Sequence, residues 1–163
     1  MTAIDVLVQR NKELTDAVPG DRSSPRPSLH VAILTCMDAR IGTFEVFRLV
    51  QGESHVLRNA GGVVTDDVIR SLALSQRKLG TREVLIMQHT NCGLSLVTED
   101  GFKDDLEAAS GLRPTWSVEA FRDVEDSVRR SMRRVRRSDF LPHTDNVRGF
   151  VYDVKTGEVT EVQ

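Results

Sequence analysis

Apolar positions along this chain fall into two patterns, short unbroken runs and stripes at helical spacing, and their order predicts the fold. Ile4, Leu7, Val8, Leu14 and Val18 recur at roughly helical intervals after a potential Thr2 cap, so residues 3–18 read as a helix with one apolar stripe. That stripe must bury against its own domain or a second subunit. Residues 19–28, with three prolines and a glycine, read as a connector, because proline removes backbone donors and resists both helix and ladder. His30-Val31-Ala32-Ile33-Leu34 then predicts a buried strand at about 30–35. Phe44, Val46, Phe47, Leu49 and Val50 predict a short amphipathic helix stopping near Gly52, and a brief strand follows at about Ser54–Leu57.

Arg58-Asn59-Ala60-Gly61-Gly62 reads as a turn in which paired glycines let backbone approach closely. After it, Thr65 is a candidate N-cap, with Asp66 and Asp67 at the positive end of a helix dipole and Val64 placed to staple onto Ile69. Val68, Ile69, Leu72, Gln76 and Leu79 keep helical spacing up to Gly80. Glu83–Gln88 is a third strand, with the continuous apolar run Val84-Leu85-Ile86-Met87 expected when both faces are covered. A weaker helix is expected near 100–109, and another from Ser117 to about Arg137, with Ser117 as cap and Trp116 stapled onto Phe121 in the core. The last segments, 148–154 and 159–162, predict a strand and hairpin turned at Thr156-Gly157. Alternation of strand and helix argues for an α/β fold: a mostly parallel central sheet flanked by helices, with a C-terminal edge strand or hairpin.

Composition narrows the class. The 163 residues suit a single domain, with 1–28 as helix and connector and 29–163 as the catalytic core. Hydrophobic residues at 39% and charged residues at 28% describe a soluble globular chain, and no apolar stretch approaches the roughly 20 residues of a membrane helix. No secretory pattern opens the sequence, so a cytoplasmic location is expected, with the two cysteines reduced. A net charge of -2 gives no reason to expect a nucleic-acid partner.

The chemistry collects at strand ends. Cys36, Asp38 and Arg40 follow the first strand, and His89 and Cys92 follow the third. In a parallel sheet, ligands gather at the carboxyl ends of strands beside the point where strand order reverses. If the first and third strands are neighbours there, Cys36 faces His89 and Cys92, a set suited to zinc with its fourth position open. Arg40 is placed to hold Asp38 in a charge-assisted fork. Asp38 then either accepts a hydrogen bond beside the metal or swings in as its fourth ligand and closes the site. Three blander readings stand beside this one: inert buried cysteines, a distant Cys36–Cys92 disulfide, and a structural zinc closed permanently by Asp38.

Cys36-x-Asp38-x-Arg40, Arg58-Asn59-Ala60-Gly61 and His89-x-x-Cys92 together resemble the signatures of the beta-class carbonic anhydrases, most closely the compact bacterial subgroup. The resemblance implies Zn2+ held by Cys36, His89 and Cys92, with Asp38 and Arg40 as catalytic dyad and Asp38 as fourth ligand in a closed state. The implied reaction is reversible hydration of CO2 to bicarbonate and a proton, by attack of zinc-bound hydroxide. Asn59, Ala60 and Gly61 are implied as part of the pocket wall. A homodimer or dimer of dimers is also implied, its N-terminal helix reaching over the partner. Some relatives act on carbon disulfide or carbonyl sulfide with the same ligands, and a zinc scaffold or sensor is the non-enzymatic alternative.

The arginine-rich stretch 129–137 reads as the solvated face of a helix that buries Val124, Val128, Met132 and Val135, since no aromatics are interleaved to stack bases. His30, His55 and His143 have no motif neighbours and read as structural or surface residues.

Overall fold

The central strands form where the apolar runs are unbroken, and helices where the period lengthens to that of the α-helix. The computed structural model describes residues 2–13 and 23–163. In chain order, α1 spans Ala3–Lys12, β1 Val31–Cys36, α2 Thr43–Val46, β2 Ser54–Asn59, α3 Asp66–Leu79, β3 Glu83–His89, α4 Glu99–Ser110, α5 Val124–Arg136, β4 Val147–Tyr152 and β5 Val159–Val162. The sheet order is β2-β1-β3-β4-β5, parallel except for the antiparallel β4–β5 pair. The chain leaves β1 for one neighbour, β2, and returns by α3 to the other, β3. The strand order therefore reverses at the β1–β3 seam.

One face of the sheet is covered by α3 and α5. Val68 and Leu72 of α3, with Val128, Met132 and Val135 of α5, pack on Ala32, Leu34, Val84, Ile86 and Val147. The apolar period of α5 is thus core, and its arginines are surface. Arg129 pairs with Glu125 and Asp126, while Arg134 pairs with Asp66 and Glu119 and donates to the Val64 carbonyl. Thr65 caps α3 by accepting from Val68 N–H, and Gly80 closes it in the left-handed conformation. Gln76 is buried on the same helix. Its amide donates to the His143 carbonyl at 2.8 Å and accepts from His143 N–H at 3.0 Å, standing in for a strand neighbour.

Four elements differ from expectation. The N-terminal helix is described over Ala3–Lys12, closed at its start by a reciprocal Thr2–Asp5 capping box, whereas Leu14 and Val18 lie outside the described residues. Among the described residues nothing covers its apolar stripe: Ile4 is 72% exposed and Leu7 61%. The helix expected through Val50 is a four-residue turn ending at Val46, since Arg48 takes a positive φ of 50°. β2 extends through Arg58 and Asn59, so these belong to the strand and not to the turn.

The largest difference is at 117–123. The helix starts at Val124 under an Asp123 cap, not at Ser117. Ser117 accepts from Glu119 N–H in a local turn, Glu119 has a φ of 60°, and Val118 N–H donates to the Glu99 carboxylate. The left-handed Glu119 thus breaks the backbone two residues after the expected cap, and Glu99 of α4 pins that turn through Val118 N–H. Trp116 is 55% exposed and neither caps nor enters the core, while Phe121 is buried.

Candidate metal centre

Strand ends bring the three predicted ligands together. Cys36 terminates β1, His89 terminates β3, and Cys92 lies in the loop after it; all three are buried. Their ligating atoms lie within 4.8 Å of one another. The two sulfurs are 4.0 Å apart and both thiols are free, which leaves the disulfide reading without support. The loop that carries His89 and Cys92 is fixed from the next strand: Thr90 N–H donates to the Tyr152 carbonyl, and Val154 N–H to Thr90 Oγ1.

His89 is 1% exposed. Its Nδ1 lies 2.9 Å from the Thr90 carbonyl, which can only accept, so Nδ1 carries the hydrogen. Nε2 is thereby left as a bare lone pair, with no hydrogen-bond partner among the described residues. A buried, unpaired acceptor is costly unless something occupies it. It points among two sulfurs, the donor set that zinc takes. The residues fit the ion on this ground.

Electrostatics agree. Cys36 is pulled far below the usual thiol range, first by the hydrogen bond from Cys92, with burial opposing and His89 and the Gly61 N–H assisting. Gly61 N lies 3.3 Å from its sulfur. Cys92 is pushed up by the same sulfur–sulfur contact and by burial. At His89 burial disfavours the imidazolium, yet Cys36 and the Thr90 carbonyl outweigh it and the pKa rises, so positive charge at Nε2 is favoured, carried by a proton or by a metal ion. A buried thiolate at Cys36, with the ionised Asp38 close by, invites a cation.

Asp38 and Arg40 lie at the rim. The carboxylate accepts from Arg40 Nε at 2.9 Å, Arg40 Nη2 at 2.7 Å and Arg40 N–H at 2.9 Å, which holds it well below the usual carboxylate range. Asp38 Oδ2 is 3.8 Å from His89 Nε2. Arg40 also donates to the Asn91 carbonyl at 3.0 Å, tying the turn after β1 to the loop after β3.

Above these groups opens a cavity of about 450 Å³, lined by Cys36, Met37, Asp38, Ala60, Gly61, Cys92, Gly93, Leu94, Val97, Phe102, Trp116 and Val118. Of the turn residues singled out in the sequence, Ala60 and Gly61 line it. The Asn59 side chain turns away, donating to the Val63 carbonyl and accepting from Val63 N–H across the glycine turn. Phe102 and Val118 had no role in the sequence reading, and Trp116, read there as a core and staple residue, instead lines the cavity. Their placement depends on Glu99 holding Val118, a contact that leaves no local signature. His30, His55 and His143 lie outside the cavity lining, His55 being held between Ser75 and the Pro25 carbonyl.

Comparison with known proteins agrees with this geometry. The family profile described as carbonic anhydrase matches residues 31–159. Beta-carbonic anhydrase 1 of Mycobacterium tuberculosis is 46% identical over 162 residues, covering 99% of each chain. The crystal structure of carbonic anhydrase from Streptococcus mutans superposes with a TM-score of 0.93 at 36% identity, covering 100% of this chain and 99% of that one. A carbon disulfide hydrolase of Acidithiobacillus thiooxidans is more distant, 30% identical over 148 residues, covering 78% of this chain and 74% of that protein. With the profile spanning both strand ends that carry the thiols and the imidazole, and near-half identity along almost the whole length, the chain belongs to the beta-class carbonic anhydrases.

Proposed function

We propose that this protein catalyses the reversible hydration of CO2 on a zinc ion held by Cys36, His89 and Cys92. The observation that carries the reading is the unpaired, buried Nε2 of His89 beside two sulfurs, with an ionised Asp38 3.8 Å away. When bound, zinc lowers the pKa of water and so supplies a nucleophile near neutral pH. The chain's own residues do the rest. Asp38, kept ionised by Arg40, can only accept, so a hydrogen bond to it would orient the attacking water and leave a lone pair free for carbon. Arg40 holds the carboxylate by three bonds, which favours a catalytic posture over permanent service as a fourth ligand. The apolar wall of Leu94, Val97, Phe102, Trp116 and Val118 suits an uncharged linear substrate and offers little to the charged product.

That apolar wall suits carbon disulfide and carbonyl sulfide as well, and the carbon disulfide hydrolase among the relatives keeps this second reading in play. Stopped-flow CO2 hydration by zinc-loaded protein from neutral to alkaline pH, run beside carbon disulfide hydrolysis, separates them. Rapid CO2 turnover rising with pH supports our reading; turnover of carbon disulfide alone overturns it. Asp38→Ala addresses the scaffold alternative: a catalytic Asp38 predicts loss of rate with zinc retained, and joint loss of zinc and fold would show a structural ligand.

We further propose a homodimer or dimer of dimers in the cytoplasm, with residues 29–163 as the catalytic unit. The exposed stripe of Ile4, Leu7 and Val8 supports a role for α1 in covering a partner. Sedimentation of a variant lacking residues 1–12 tests this; an unchanged mass would refute it. No helix among the described residues is long and apolar enough to cross a membrane.

A further inference from the structure

Beyond Cys36, the ladder between β1 and β2 gives out. Met37 N–H still reaches the Asn59 carbonyl at 2.8 Å, but no strand neighbour supplies donors for the carbonyls that follow. Arg58, in register with Thr35, takes over with its side chain. Its Nε donates to the Cys36 carbonyl at 3.0 Å and its Nη2 to the Asp38 carbonyl at 2.7 Å. The guanidinium thus spans the two residues of the turn that matter most, one carrying the sulfur and the other the carboxylate. It forms no ion pair among the described residues, so these carbonyls are its partners.

The Asp38–Arg40 fork cannot do this work. Both side chains rise from the same turn, so the fork stays intact if the turn shifts as a body. Placement relative to His89 and Cys92 needs ties from outside the turn. Arg40 supplies one, to the Asn91 carbonyl, and Arg58 supplies two from the opposite strand. We propose that Arg58 is a positioning residue, whose planar fork on the Cys36 and Asp38 carbonyls sets the carboxylate at its working distance from the metal-binding groups. The proposal rests on the CO2-hydration reading above. A planar, two-pronged donor is what the task requires, and a lysine, with one compact ammonium, does not reproduce it.

The test uses Arg58→Ala and Arg58→Lys in zinc-loaded, full-length protein. A displacement near 1 Å can cost about 10²-fold in rate, so kcat should fall roughly 10- to 100-fold in Arg58→Ala with KM little changed. Zinc content and the urea midpoint should stay near wild type. Free guanidinium ion at low concentration should restore part of the lost rate in Arg58→Ala, saturably, and Arg58→Lys should recover less than wild type. Independently of activity, the visible spectrum of the cobalt-substituted variant should shift from that of cobalt-substituted wild type, because the carboxylate beside the metal has moved. Unchanged kcat and an unchanged cobalt spectrum would overturn the proposal. So would a rate loss that merely tracks lost zinc or lost fold and resists guanidinium. If wild-type zinc protein itself fails to hydrate CO2, the functional reading falls, and the cobalt spectrum alone then decides whether Arg58 positions the carboxylate.

Discussion

Gly62 sits where the fold has least room, and replacing it with alanine isolates what that closeness contributes. Its φ is 61°, a left-handed conformation that costs an L-residue about 1–2 kcal/mol. A Cβ built there would lie 2.8 Å from the Cys36 amide nitrogen, 2.9 Å from the Thr35 carbonyl carbon and 3.1 Å from the Met87 carbonyl oxygen. All three are backbone atoms of β1 and β3, at the seam that carries the thiols and imidazole, so no rotamer change relieves the overlap. Overpacking of this kind costs about 1–3 kcal/mol. Together the terms give about 2–5 kcal/mol for Gly62→Ala. Gly80→Ala is the internal control: its φ is 83°, but the nearest atom to a new Cβ is His30 Nδ1 at 3.9 Å, so only the conformational cost of about 1–2 kcal/mol applies. Equilibrium urea unfolding of both variants, metal-free and zinc-loaded, at one protein concentration, measures the difference. Gly62→Ala should also release zinc more readily to a competing chelator, because relief must displace Cys36 or Met87. Equal destabilisation by the two substitutions, within about 0.5 kcal/mol, would refute the steric argument.

Other outcomes follow from particular contacts. Gln76→Leu leaves the His143 N–H and carbonyl unpaired and should cost about 1–3 kcal/mol in urea unfolding, with zinc content unchanged; a neutral result would mean that water replaces the amide. His89→Ala should lower zinc affinity by orders of magnitude in competition with a chromogenic chelator, and wild-type affinity would remove His89 from the ligand set. Glu99 is held below the usual carboxylate range, first by Lys103 and then by Val118 N–H. Its hold on the 117–118 turn is therefore complete above the ordinary pKa of about 4.3 and lost as pH falls through the lower, folded value. Trp116, the single tryptophan, sits beside that turn, so its emission should change in this acid window in wild type and not in Glu99→Gln. The same transition in Glu99→Gln would place its origin elsewhere.

Legibility in the sequence followed how local each cause was. Every cue for α3 agrees: the Thr65 cap, the acidic first turn, the apolar period and Gly80 all lie within the segment they define. Convergence of Cys36 with His89 and Cys92 was also readable, because buried runs predict strands and a parallel sheet gathers their carboxyl ends. At 116–123 local cues misled. Trp116-Ser117 looks like a helix start, but Glu119 takes a positive φ in a turn that Glu99, 19 residues before Val118, pins from outside the segment. Arg58 was visible only as part of a motif, since its partners are carbonyls and every residue has one. Nor does a stripe on α1 say whether it is covered within the chain, and among the described residues it is not.

All of this chemistry sits on one rim of the sheet. At the opposite rim the connectors entering the strands, residues 23–30 and 80–82, meet through the His30 carbonyl, which accepts from Arg82 and Glu83 N–H, and through His30 Nδ1 at the Gly80 carbonyl. The two rims therefore differ in how the chain can be lengthened. An affinity tag or reporter grafted into the exposed stretch just before Pro25, whose carbonyl holds His55, adds little beyond the slowly growing entropy of a longer loop. One extra residue between Cys36 and Arg40, or between His89 and Cys92, would shift a ligand or the carboxylate out of place. Tolerance of inserted length is thus a map of the active rim, and it can be drawn without assaying the reaction.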